Sequence, residues 1–253
     1  MAGEIEGVAV VVPVHNEAEL LGRCLDALDV AVTHAEARGI RCAVRIVLDD
    51  CSDDSAMIAA RHRFPTPPVD AACVGQARAH GVESALRELD GIPAHRVWIA
   101  NTDADSAVPP NWITMQCELA AAGADVFIGT VRPDFADLTR SHRREWLRTQ
   151  SPGAPNGQVH GASLGVRADV YSAAGGFHAV AEHEDVELID RCRVLDVRLC
   201  ASDDAEVLTS GRFVGRTAGG YAGYLRAQAD LLSRSSGRRS GRSGTLAATH
   251  AES

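Results

Sequence analysis

The stretch Arg96–Ile113, RVWIANTDADSAVPPNWI, governs how the rest of the chain is read. Val97 to Ala100 make a short apolar run that ends in Asn101 and Thr102, and Asp103 and Asp105 follow with Ala104 between them. An apolar run this short, with charge before it and Pro109 and Pro110 after it, predicts a buried parallel strand. Open α/β sheets present ligands at the carboxyl ends of their strands, where these two carboxylates would stand. Two carboxylates one residue apart repel each other and are costly to bury without a cation or hydrogen-bond donors. Mg²⁺ or Mn²⁺, held through one or two carboxylates and completed by substrate phosphates, meets that need. An acidic loop after a strand is the plainer explanation, and Asp-x-Asp alone does not decide between them.

Working outward, 253 residues suffice for one large α/β domain with a real core. A hydrophobic fraction of 45% fits a soluble globular protein, and a net charge of -9 argues against non-specific nucleic-acid binding. Every one of the 25 basic residues is arginine, which excludes Schiff-base chemistry and a phosphate-loop lysine. The seven cysteines form no C-x-x-C pair; Cys24, Cys42, Cys73, Cys117 and Cys192 sit among apolar neighbours and read as small hydrophobes. Their odd number, with no secretory leader, points to a reducing compartment. No apolar run is long enough to span a bilayer. The expected location is cytoplasmic, with peripheral contact at the inner membrane surface left open.

Taken in order, the chain predicts a first strand Val8–Val12 stopped by Pro13, with Asn16 capping a helix that buries Leu20, Leu21, Cys24, Leu25 and Leu28. A second strand, Val44–Leu48, runs into the acidic turn Asp49–Asp54, where Asp53 or Asp54 caps a helix through Ala60. Val69–Val74 reads as a third strand and Gln76–Leu89 as a helix, although Gly81 weakens it. After the Asp103 strand come a helix near Asn111–Ala122 and a strand Asp125–Val131. An Arg-rich helix with Trp146 lies within Phe135–Thr149, followed by a loop, Ser151–Gly157. Then come a strand Ala162–Val166, a helix from Ala168, a break at Gly175 and Gly176, a helix just after Asp185, and a last strand Ala205–Leu208. This alternation implies a mostly parallel sheet with right-handed crossovers. Trp98 and Trp112 read as core. Residues 233–253 have almost no apolar content and are expected to be a disordered basic tail.

Neither G-x-G-x-x-G nor G-x-x-x-x-G-K-[ST] is present, which disfavours a dinucleotide enzyme or a P-loop phosphotransferase. The ordered pieces VVPVHNE, VLDDCSDDS, ARAHG, NTDADS, GASLGVRADVYSAAGGF and HEDVELIDR, between Val10 and Arg193, instead resemble the inverting family-2 glycosyltransferases. Cys51 where that family usually has glycine, His15 where it has an aromatic or small residue, and Ser106 after the aspartates are departures. The resemblance implies a GT-A-type single domain over residues 1–232, with a Rossmann-like central sheet flanked by helices. Its nucleotide-binding half would cover about 1–132 and a small acceptor portion about 133–232.

The same resemblance implies roles for single residues. Pro13, His15 and Glu17 would form the first nucleotide loop; Asp50 would accept a hydrogen bond from a uracil or guanine ring; Arg78 would lie beside the base. Asp103 would lie by the ribose, Asp105 would ligate Mn²⁺ or Mg²⁺ bridging the diphosphate of a UDP- or GDP-sugar, and Asp185 would be the catalytic base, with Glu184 shaping the acceptor end. Arg212 is a candidate phosphate clamp, with surface arginine as the plain alternative. Trp146 is a candidate face for a sugar or aglycone. His160 and His183 could touch metal or acceptor, orient Asp185, or have only a structural role. The Glu184–Asp185 pair has its own structural explanation at a helix start. The expected activity is metal-dependent, inverting transfer to a hydroxyl of a small molecule or lipid head. A retaining glycosyltransferase, a GT-A-like sugar nucleotidyltransferase and a non-catalytic sugar-nucleotide-binding scaffold are the rivals. Nothing in the sequence sets the oligomeric state, and a homo-oligomer is compatible with it.

Overall fold

The structure, a computed structural model, describes residues 4–151, 153–155, 157–214 and 221–226. The expected tail at 233–253 and most of the glycine-punctuated segment before it lie outside these residues. The chain divides into two compact units, Met1–Asp134 with Gln150–Ser210, and Phe135–Thr149 with Gly211–Ser253.

The first unit carries a seven-stranded sheet in the order β3-β2-β1-β4-β6-β5-β7. Its strands are β1 (Gly7–Val14), β2 (Arg41–Asp49), β3 (Pro68–Val69), β4 (Val97–Asn101), β5 (Val126–Pro133), β6 (Leu164–Arg167) and β7 (Leu199–Thr209). β1 pairs parallel with β2 and β4, β2 with β3, and β5 with β7; β6 alone is antiparallel, set between β4 and β5. This is the expected α/β architecture with a mixed, mostly parallel sheet, consistent with a GT-A-like fold. The helices are α1 (Leu21–Glu36), α2 (Ser55–Ala59), α3 (Val74–Glu88), α4 (Trp112–Ala121), α6 (Ala168–Ala173) and α7 (Glu184–Arg193), with α5 (Arg140–Thr149) in the second unit.

The chain leaves β1 towards β2 on one side and returns to β4 on the other. That reversal makes the carboxyl ends of β1 and β4 a topological switch point, the usual ligand position in open α/β sheets. β1 is buried on both faces, as its unbroken apolar run requires. Gly81 is what lets α3 lie on it: a Cβ there would meet Val11 Cγ1 at 2.5 Å and Val47 Cγ2 at 2.8 Å. The residue that weakened the helix in the sequence is therefore the one that allows it to pack. Trp98 and Trp112 are fully buried, and their ring N–H groups reach Gln116 Oε1 and Ser163 Oγ.

Three local expectations change. The third strand is only Pro68–Val69, because the buried Asp49 carboxylate accepts the backbone N–H groups of Ala71, Ala72 and Cys73 and draws them into a turn. Asn16 does not cap α1; it sits at φ 52 with its side-chain oxygen accepting the Ser52 and Asp53 amides. β7 begins at Leu199 rather than Ala205, since Ser202 Oγ and the Asp204 carboxylate satisfy each other where the acidic residues interrupt the apolar pattern. Burial raises the Cys51 thiol pKa. All seven cysteines are free, with Cys24, Cys117 and Cys192 buried and the others half-buried.

Candidate active site

Loops at the carboxyl ends of β1 and β2 are stitched together. His15 Nδ1 donates to the Asp49 carbonyl at 2.7 Å, which fixes the tautomer and leaves Nε2 to accept from Asn16 Nδ2 at 3.3 Å. The Glu17 amide donates to Ser55 Oγ and the Ala18 amide to Asp53 Oδ2. Asp53 also accepts the Ser55 amide; desolvation by itself raises its carboxyl pKa, but the bonds from Ser55 and Ala18 together outweigh it and hold the carboxyl below the usual range. Glu17 is buried and Pro13 half-buried, while Asp50 is exposed at φ 48, turned out at the end of β2. His15, Glu17 and Asp50 thus share one rim, with Asp49 as its internal brace.

The β4 loop forms the neighbouring wall. The Thr102 amide donates to the Val11 carbonyl, and the Cys24 thiol to the Asp103 carbonyl at 3.4 Å, which pins the loop against β1 and α1. Asp105 Oδ1 lies 3.1 Å from Ser106 Oγ and 3.4 Å from Thr209 Oγ1. An antiparallel bridge between Ala107 and Leu208 brings the end of β7 to this loop. Nothing in the sequence linked Thr209 to Asp105, because the bridge joins segments about a hundred residues apart and carries no local pattern.

Asp103 meets the acceptor-side candidates through Arg78. The guanidinium, 1% exposed, donates from Nη2 to Asp103 Oδ1 at 2.5 Å and from Nε to Glu184 Oε1 at 2.9 Å. Burial works against its charge, but Asp103, Glu184 and Asp185 more than offset it and its pKa rises. Burial pushes the Glu184 carboxyl up, and Arg78 opposes it only in part. Asp185, half-buried in the first turn of α7, accepts the Val186 amide. His160 is electrostatically coupled to both Asp185 and Asp103, and burial lowers its pKa in spite of them. His183 is exposed at φ 62, directly before α7.

Two candidates belong to the second unit. Trp146 is 4% exposed, its Nε1 donates to the Tyr221 hydroxyl at 3.2 Å, and its ring meets Phe135 edge-on. Arg212 is half-exposed.

Among the described residues no three His, Cys, Asp or Glu side chains form a group that could hold a metal by themselves. The donor set at Asp105 is nevertheless all oxygen: one carboxylate with the Ser106 and Thr209 hydroxyls beside it. That suits a hard divalent cation whose remaining ligands come from water and phosphate. Three carboxylates, Asp103, Glu184 and Asp185, also act on the buried Arg78 guanidinium.

The profile of Glycosyl transferase family 2 matches residues 9–173, ending before α7. No curated protein sequence matches the chain. Among solved structures, S. aureus TarS 1-349 aligns at TM-score 0.56 and 11% identity over 81% of this chain and 60% of that one. The mannosyltransferase PcManGT from Pyrobaculum calidifontis, in complex with GDP-Man and Mn²⁺, aligns at 0.57 and 18% over 88% and 61%. M. tuberculosis glucosyl-3-phosphoglycerate synthase aligns at 0.50 and 14% over 90% and 80%. The chain therefore spans about 60% of the length of the first two, and at these identities the likeness concerns the fold.

Proposed function

The chain belongs to glycosyl transferase family 2, and on that premise we propose that it moves a sugar from a UDP- or GDP-sugar to an acceptor hydroxyl, with inversion and with support from Mn²⁺ or Mg²⁺. Sugar transfer in general follows from the family; the finer reading rests on one observation. Asp103 and Glu184 bond the same buried guanidinium, so the loop expected to hold the donor and the helix start expected to hold the base share a single cation.

In this reading the rim of His15, Glu17 and the exposed Asp50 receives the nucleoside, with Asp50 accepting a ring N–H. Asp103 faces the ribose. Asp105 would hold the divalent cation, which would supply positive charge to offset the negative charge growing on the departing diphosphate. Asp185 takes the proton of the acceptor hydroxyl as that oxygen attacks the anomeric carbon. The C–O bond to the diphosphate breaks on the opposite face and its electron pair leaves with the phosphate oxygen. Attack from behind inverts the centre and needs no carboxylate nucleophile. General-base help of this kind is worth about 10²–10⁴-fold. The acceptor is a small molecule or a lipid head; among the described residues no helix is long and apolar enough to cross a membrane.

The test measures UDP or GDP release from a panel of sugar nucleotides with Mn²⁺ or Mg²⁺, and the anomeric configuration of the product by NMR. Asp185→Asn is expected to lose about 10²-fold or more in kcat. Asp105→Ala is expected to lose metal-supported donor use. Full turnover in both variants overturns the site assignment, and a product that keeps the donor's configuration replaces inversion with retention.

A further inference from the structure

We propose that Arg78 is a positioning residue, a buried strut that sets the Asp103 loop and the first turn of α7 in fixed relation. The inference rests on the functional reading above and assigns the side chain a task different from touching the base. An isolated buried guanidinium is costly unless its partners hold it in good geometry. Here two nitrogens of one planar group reach carboxylates on two separate elements, at 2.5 Å and 2.9 Å. The third nitrogen, Nη1, is also buried, with no hydrogen-bond partner. A group so enclosed acts through the residues it holds.

The surroundings are shaped around the bridge. Gly161 lies where any Cβ would collide with Arg78 Nη2 and would approach its Cζ to 3.2 Å, so the loop after His160 keeps clear of the ion pair. The Phe177 ring lies 5.9 Å from Cζ, within cation–π range. Asp103 keeps 40% of its side chain exposed while one oxygen is anchored. Glu184, by contrast, is 6% exposed and faces inward. The strut thus grips an open carboxylate at one end and a closed one at the other, and Asp185 follows the closed one directly. A lysine could not replace it, because an ammonium has no fixed fork with which to serve two acceptors from separate elements.

Three chains separate this role from a nucleotide contact or a purely stabilising one: wild type, Glu184→Gln and Arg78→Lys. Circular dichroism checks that each is folded. With Asp103 still anchored, Glu184→Gln is expected to keep UDP or GDP affinity in Mn²⁺ within about threefold of wild type while kcat falls about tenfold or more, since misplacing a reacting group by about 1 Å costs up to 10²-fold. Arg78→Lys, which releases both ends, is expected to lose nucleotide affinity and kcat together. In both, amide hydrogen exchange at Val186–Leu188 is expected to quicken.

A loss of thermal stability with kcat and exchange unchanged overturns the strut. So does an Arg78→Lys chain with weaker nucleotide binding beside an unaltered Glu184→Gln. Hydrogen exchange is read on the protein alone, so a wild type that binds neither UDP nor GDP removes the functional reading while exchange at α7 still judges the strut.

Discussion

Ser106 Oγ lies 2.9 Å from Thr209 Oγ1, although 103 residues separate them. Each hydroxyl has one proton, and Asp105 Oδ1 is within reach of both. A relay in which Ser106 donates to Thr209 and Thr209 to Asp105 satisfies all three. Both hydroxyls are buried, so the relay fixes the Asp105 rotamer from the side of β7.

Thr209→Val keeps the shape and deletes the donor. Outer-shell partners of a metal-holding carboxylate are worth roughly tenfold in metal affinity, and that is the expected loss. It is read as the Mn²⁺ concentration needed for half-maximal UDP or GDP binding. The accompanying stability cost is about 1 kcal/mol. An unchanged Mn²⁺ requirement would leave the pair as a tie between the β4 loop and β7 and nothing more.

Asp49→Ala tests the brace beneath the rim. The carboxylate is 3% exposed and collects three backbone N–H groups, the last of them at the residue preceding α3. Deleting it is expected to destabilise the protein by about 2 kcal/mol or more, with Asp49→Asn costing about half as much because one oxygen remains. Urea denaturation measures both. The exposed Asp50→Asn, one residue on, keeps a residue suited to the φ of 48 there and is expected to stay within about 0.5 kcal/mol of wild type.

His160 ties stability to acid. Burial lowers its pKa from the ordinary 6.5, and the nearby Asp185 and Asp103 offset that only in part. The unfolded chain therefore binds the proton more readily than the folded one. The contribution is intact above pH 6.5 and is lost as pH falls from there towards the folded value. Glu184, raised by burial, works with the opposite sign, its contribution fading as pH rises above the ordinary carboxylate range. The diagnostic quantity is thus the difference between wild type and His160→Gln. The wild-type Tm should fall more steeply on acidification below that pH, and parallel Tm curves for the two chains would refute it.

Much of this architecture was legible because it is local. The apolar runs of β1, β2 and β4 and the helical spacing of Leu21, Cys24, Leu25 and Leu28 give their elements directly. The Asp103–Asp105 pair falls after β4 as the run predicts. What stayed hidden depends on partners distant in sequence. Asp49 turning the third strand, Thr209 under Asp105 and Arg78 spanning to Glu184 are contacts between segments that only the folded sheet brings together. The resemblance singles out Arg78 only as a contact beside the base; its bridge to Glu184 carries no local signal. Gly81 reads as a weak point in the sequence and Gly161 carries no signal there, because what a missing Cβ permits is visible only once a neighbour is in place.

Two glycines with opposite surroundings give the last prediction. Gly75, in the first turn of α3, has its amide directed at the Val180 carbonyl at 3.4 Å. A Cβ there would run into the His178 carbonyl oxygen and come within 3.0 Å of the Val180 oxygen. Backbone cannot swing aside as a flexible side chain does, so Gly75→Ala is expected to cost about 2–3 kcal/mol and to push the segment before α7 away from α3. Gly22, in the first turn of α1, meets only Ile58 Cγ2 at 4.0 Å, an ordinary contact. There Gly22→Ala should stabilise by about 0.5–1 kcal/mol, through helix propensity and a less flexible unfolded chain. Thermal unfolding of the two variants side by side decides it. If α3 and the Val180 segment approach as closely as described, the Tm shifts have opposite signs, and Gly75→Ala with an unshifted Tm would show that this contact does not form.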